Sequence, residues 1–118
     1  MTDRGILLTK GKGRSGCLGH GDTRDVSTPR IVEALFGEDV VDFCAGDKHV
    51  AVVTSDGEVF TWGEGEFGRL GLESSSLVST PDVVDLDEDV EKVFCGPSST
   101  ALLAPDGRLQ IFVPRFVL

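Results

Sequence analysis

Two stretches laid one over the other decide how this chain folds: GILLTKGKGRSGCLGHGDTRDVSTP, Gly5 to Pro29, and GEVFTWGEGEFGRLGLESSSLVSTP, Gly57 to Pro81. Gly11 falls on Gly63, Gly13 on Gly65, Gly16 on Gly68, Leu18 on Leu70 and Gly19 on Gly71, and VSTP recurs intact. After a two-residue deletion the register resumes, with EDVVDFCAG, Glu38 to Gly46, over EDVEKVFCG, Glu88 to Gly96. Asp56-Gly57 then falls on Asp106-Gly107, so the chain repeats itself with a period of 50 to 52 residues. A fixed period changes the meaning of every motif inside it.

The motif most affected is WGEGEFGRLG, Trp62 to Gly71, which contains the G-x-G-x-F-G order of the loop that covers ATP in protein kinases. A kinase needs in addition a lysine on the following strand and the H-R-D and D-F-G elements. After Gly68 the next lysine is Lys92, the other two motifs are absent, and 118 residues are too few for a kinase domain. The same glycine spacing already occurs in GKGRSG. Glycines repeated at a structural period read as turn residues, which permit positive φ and close backbone approach. The expected turn glycines are Gly11, Gly13, Gly16, Gly19, Gly63, Gly65, Gly68 and Gly71.

Between the glycines the chain reads as strand. ILLT, VVDFCA, HVAVVT, EVFTW, EKVFC, STALLA and RLQIFV are short runs rich in Val, Phe, Leu and Thr. Asp56-Gly57 and Asp106-Gly107 sit where hairpins bend. RIVEALFG hints at a helical turn, but Val32 lies over Val84, which favours an extended path. Repeats of about 50 residues built of four short antiparallel strands predict an all-β chain of β-propeller blades.

The G-x-L-G core, the proline ten residues beyond it, the valine-rich strand ending in C-G or A-G and the D-G turn into VFTWG resemble the regulator of chromosome condensation repeat family. The resemblance covers residues 5 to about 110. Within that family RGILLTKGKGRSGCLGHGD, TPRIVEALFG and GEGEFGRLGLE are most similar to the propeller tail of NIMA-related serine/threonine kinases. The expected division is a single partial propeller domain over 1–118, with a first repeat at 5–56, a second at 57–106 and the divergent or truncated start of a third at 107–118. Such a chain amounts to about two four-stranded blades. Two departures stand out: Lys10 replaces the Trp62 of the second repeat, and RLQIFVPRFVL follows Asp106-Gly107 where glycine and another G-x-L-G are due.

The resemblance implies a non-catalytic interaction or regulatory module, with any kinase domain lying outside this sequence. The alternative it implies is guanine nucleotide exchange on a small Ras-like GTPase, the activity of the founding member. Two blades cannot present the broad face such exchange requires, and fold alone does not transfer function. Resemblance to the kinase branch also raises centrosome and cilium as locations.

Charge points the same way. Asp and Glu outnumber Lys and Arg by 20 to 11, for a net charge of -9, which repels nucleic acid and anionic lipid. No apolar run approaches the roughly 20 residues that span a bilayer, so the expectation is a soluble, intracellular, cytoplasmic protein. The acidic stretch DVVDLDEDVE, Asp82 to Glu91, reads as a solvated loop and as a docking surface for a basic partner, through Asp82, Asp85, Asp87, Glu88, Asp89 and Glu91. Open blade edges add self-association as a second mode.

Catalytic and metal chemistry find little support. The serines include no nucleophile elbow, while Ser74 to Ser76 read as a polar loop open to phosphorylation. His20 and His49 lack a third ligand at suitable spacing, and no cofactor motif is present. The three cysteines Cys17, Cys44 and Cys95 are odd in number and form no C-x-x-C. That argues against a disulfide framework and makes Cys44 and Cys95 buried strand thiols.

Overall fold

The structure, a computed structural model, describes residues 1–2, 4–64, 77–86, 88–97 and 99–112. Gly65, Gly68, Gly71, Asp87, Ser74 to Ser76 and the ending after Phe112 lie outside the described residues. Those described form nine strands and one short 3-10 turn. The strands are β1 (Leu8–Gly11), β2 (Val26–Ile31), β3 (Val40–Ala45), β4 (His49–Thr54), β5 (Val59–Glu64), β6 (Leu77–Val83), β7 (Lys92–Cys95), β8 (Thr100–Leu103) and β9 (Leu109–Phe112).

They pair into three antiparallel sheets: β1-β2, then β3-β4-β5-β6, then β7-β8-β9. The middle sheet is a complete four-stranded blade, flanked by half of one and three strands of another. Asp56-Gly57 lies in the β4-β5 hairpin, at the centre of the middle blade. Sheets and sequence repeats are therefore out of phase, and the middle and third sheets each take strands from two successive repeats.

Alternation along β4 explains why the sheets stack. Successive side chains of a strand point to opposite faces. Ala51 and Val53 accordingly join Val59, Val84, Val90, Val93 and Leu102 between the middle and third sheets. Val52 instead meets Leu7, Val32, Leu35, Val40 and Trp62 between the first and middle sheets. A strand buried on both faces needs a continuous apolar run, and HVAVVT supplies it. β2 and β6 each carry a proline, Pro29 and Pro81, and each is the outer strand of its sheet, where a missing N–H breaks no ladder.

The RIVEALFG segment divides between the two expected conformations. Val32 is extended, at φ -78° and ψ 96°, and the following Glu33–Leu35 makes a single 3-10 turn that buries Leu35. The Val32–Val84 equivalence holds in the hydrogen bonds: Val32 N–H donates to Leu7 O at 3.0 Å and Val84 N–H to Val59 O at 2.8 Å.

One expectation is overturned. Cys44 and Cys95 are not free thiols but a disulfide, with their Cα atoms 5.5 Å apart across 51 residues of sequence. β3 and β7, the first strands of adjacent blades, pack against each other, and Asp42 Oδ2 accepts the Val93 N–H at 3.0 Å between them. Neither spacing nor count reveals that adjacency; Cys17 is the odd thiol left over.

Candidate functional site

The glycine-rich segment of the first repeat closes over Trp62. That indole is fully buried, and its Nε1–H donates to Cys17 O at 2.8 Å. Gly19 lies against the ring at φ +79°, and a Cβ there would meet Trp62 Nε1 at 3.0 Å. Gly63, at φ +112°, passes so close to β4 that a Cβ would stand 2.3 Å from Lys48 O. Gly13 abuts the Arg24 backbone, Gly16 touches Leu77, and Gly11 borders open space. The first glycine loop is thus filled by protein.

Beside it, the Thr9 hydroxyl donates to Leu18 O at 2.6 Å and contacts His20 Nε2 at 2.8 Å. With its one proton committed to Leu18, Thr9 accepts from His20, so the Nε2 nitrogen carries hydrogen. Desolvation, followed by the Arg30 charge, lowers the His20 pKa from its ordinary value. His49 is buried at the opposite side of the middle blade, where its Nε2 lies 3.0 Å from Ser99 O. Among the described residues no group of three or more His, Cys, Asp or Glu is placed to hold a metal ion.

The acidic stretch begins in β6 and continues as a loop after Val83. Asp82 belongs to β6, and the apolar residues Val84 and Val90 are buried while Asp82, Asp85, Glu88, Asp89 and Glu91 are exposed. Val84 N–H is bonded to Val59 O, Val90 N–H to Gly57 O at 3.0 Å and Glu91 N–H to Leu103 O at 2.8 Å. Backbone bonds at Val84, Val90 and Glu91 therefore anchor the segment that carries this array of exposed carboxylates. Glu88 forms an ion pair with Arg108, which also bonds Asp106 at 2.7 Å. A groove of about 350 Å³ runs along the array, lined by Asp85, Glu88, Asp89, Leu102, Arg108 and Leu109.

Two features near this surface have no signature in sequence spacing, the Cys44–Cys95 bridge and the Asp42 contact to β7, whereas a third does, the seating of each Asp-Val pair on the preceding D-G or R-G turn. The last could have been found from the repeat itself, because Glu38-Asp39-Val40 and Glu88-Asp89-Val90 recur in register.

Models of the regulator of chromosome condensation (RCC1) repeat match residues 4–53 and 56–103. The chain is 45% identical over 106 residues to the serine/threonine-protein kinase Nek8 of Danio rerio, covering 88% of this chain and 15% of that protein. Among solved structures, human WBSCR16 superposes with a TM-score of 0.86 at 26% identity, over 94% of this chain and 29% of that one. Prp20p of Saccharomyces cerevisiae, whose structure is described together with its binding to Gsp1p and histones, superposes at 0.82 with 20% identity over 94% of this chain and 29% of its own. Sequence repeat and blade geometry agree, and the chain belongs to the regulator of chromosome condensation (RCC1) repeat family.

Proposed function

We propose that this chain is a non-catalytic protein-interaction module, the kind of propeller segment that positions or regulates a kinase of the NIMA-related group. It spans only 15% of Nek8, and that share carries the repeats. Residues 5–56 and 57–106 are its two repeat units, with a third beginning at Gly107. Gly13, Gly16, Gly19 and Gly63 serve as turn glycines that let the blades pack closely. Resemblance to the kinase branch extends the proposal to the cell interior and to the centrosome or cilium; among the described residues no helix is long and apolar enough to cross a membrane.

The observation that carries this reading is the acidic array: exposed carboxylates on a backbone bonded into two sheets. Charges held in place lose little entropy on binding and steer a basic partner. Asp82, Asp85, Asp87, Glu88, Asp89 and Glu91 are the docking residues of this proposal, and the open sheet edges offer a surface for self-association.

Reversal of Asp82, Asp85 and Glu91 to lysine tests it while sparing Glu88, the partner of Arg108. The triple variant should keep its far-ultraviolet spectrum and melting transition, because exposed charges contribute only about 0–1 kcal/mol each. It should lose capture of basic proteins from extract, and the salt dependence of the remaining binding should flatten. An unchanged set of captured proteins removes the array from consideration. Stimulated nucleotide release from a small GTPase by the wild-type chain would replace the non-catalytic reading with exchange activity.

A further inference from the structure

We propose that the Cys44–Cys95 bridge is a reversible redox switch that governs the acidic array. The inference rests on the docking reading above and on the interior location proposed with it. Inside cells thiol buffers keep most cysteines reduced, and the bridges that do form there are mainly transient and redox-sensing. Cys44 and Cys95 suit that role by their position: both are half-buried, packed against the apolar cluster around Val93 but not sealed within it. Cys17 is no rival. It stands alone in the glycine-rich segment, where desolvation above all raises its pKa and so lowers its thiolate fraction.

The two sheets that the bridge joins also carry the array between them. Val84 and Val90 donate to Val59 O and Gly57 O of the middle blade at 2.8 and 3.0 Å, and Glu91 donates to Leu103 O of the third sheet at 2.8 Å. β7 begins at Lys92, directly after Glu91, and ends at Cys95. The bridge to β3 therefore fixes the far end of a four-residue strand whose near end adjoins the last carboxylate of the array. The other described contacts across this boundary are non-covalent. They include the Val93 N–H bond to Asp42 Oδ2 at 3.0 Å, the Asp47 N–H bond to Pro97 O at 3.1 Å and the apolar cluster. Two thiols take up more room than the bond they replace, and a close-packed boundary passes such a change to its neighbours. Reduction thus frees β7 against β3 and lets the Glu91 end of the segment move relative to the Val84 end. Oxidation keeps both ends in one arrangement, which lowers the ordering cost of binding a basic partner.

The chemistry is thiol–disulfide exchange with a small-molecule disulfide of the glutathione disulfide class. One cysteine thiolate attacks that disulfide, forming a mixed disulfide and releasing one small thiol. The second cysteine thiolate then displaces the other small thiol and closes the bridge. Two electrons pass from the cysteine pair to the small disulfide, and the two cysteine protons end on the two released thiols. Reduced glutathione runs the same sequence backwards.

The test uses the full chain with Cys17→Ser, so that only the pair responds, and a fluorescent peptide of arginine-glycine repeats as the basic probe. In anisotropy titrations the oxidised chain should bind the peptide about fivefold more tightly than the chain reduced with a phosphine. Re-oxidation with glutathione disulfide should restore the affinity. The same chain with Cys44→Ser added should bind as the reduced form does under both conditions. Amide resonances check the lock without a partner: reduction should shift those of Asp85, Glu88, Asp89 and Glu91 and leave those of β1 in place. Equal affinity in the two redox states, shifts confined to the neighbours of the two cysteines, a bridge that survives excess reduced glutathione, or unfolding on reduction would each overturn the switch. Shifts along the array with no peptide binding in either state would instead overturn the docking reading, and the control of docking with it.

Discussion

Trp62 links the two repeats at the scale of a single side chain. Its ring fills the space between the first and middle sheets with Leu7, Val32, Leu35, Val40 and Val52, and its N–H satisfies the Cys17 carbonyl. Removing so large a buried side chain leaves a cavity that the glycine-rich segment cannot fill, because Gly19 has no side chain to move inward. Trp62→Ala should cost about 3–5 kcal/mol in urea unfolding, the range for Trp or Phe truncation. Trp62→Phe keeps most of the packing and loses the bond to Cys17, for a smaller cost near that of a hydrogen bond, about 1 kcal/mol, plus a partial cavity. Equal losses for the two would show that packing against Gly19 does not matter. The repeat marks this position in the sequence through Lys10, its exposed counterpart in β1.

Strands were unevenly legible. β3 and β4 coincide with VVDFCA and HVAVVT, and β5, β7, β8 and β9 lie within two residues of the runs that announce them, because each is apolar and bounded by a turn. β2 and β6 escaped as strands: VSTPRI and LVSTPDV carry proline and few apolar residues, a composition suited only to an outer edge. The disulfide between β3 and β7 escaped as well, for pairing depends on which strands become neighbours. Closing 51 residues removes chain entropy worth about 4 kcal/mol in the loop-closure model. Cys44→Ser should therefore lower stability by about 2–4 kcal/mol, and a reductant should bring the wild-type melting transition down to that of the variant. Thiol titration checks the pairing directly: one reactive cysteine in the oxidised chain, three after reduction. Identical melting with and without reductant would mean the bridge adds no constraint.

Protection across the whole molecule should follow burial rather than sequence order. β4 and β5 are covered on both faces and bonded on both edges, while among the described residues β1 pairs with β2 alone and β9 with β8 alone. Opening free energies rise from exposed edges toward the buried centre. Hydrogen exchange should accordingly be slowest in Val50 to Val53 and Phe60 to Trp62, and fastest in Leu8 to Gly11 and in the amides around Gly107. Uniform protection from β1 to β9 would contradict this order.

The sequence by itself determined the period, the all-β class, the two hairpins at Asp56-Gly57 and Asp106-Gly107, and membership of a repeat family. Those properties are written in local chemistry: alternation, β-branched runs, glycine where φ is positive, and self-similarity at a fixed spacing. Tertiary structure decided what lies beside what. Only stacking of the sheets shows that Cys44 meets Cys95, that Cys17 O receives Trp62, and that the valines Val84 and Val90 of the acidic stretch are core while its described carboxylates are exposed. Each of these is a contact between segments well separated in the sequence, from Val59 with Val84 to Cys44 with Cys95. Such facts depend on packing between blades, which no local pattern of residues encodes.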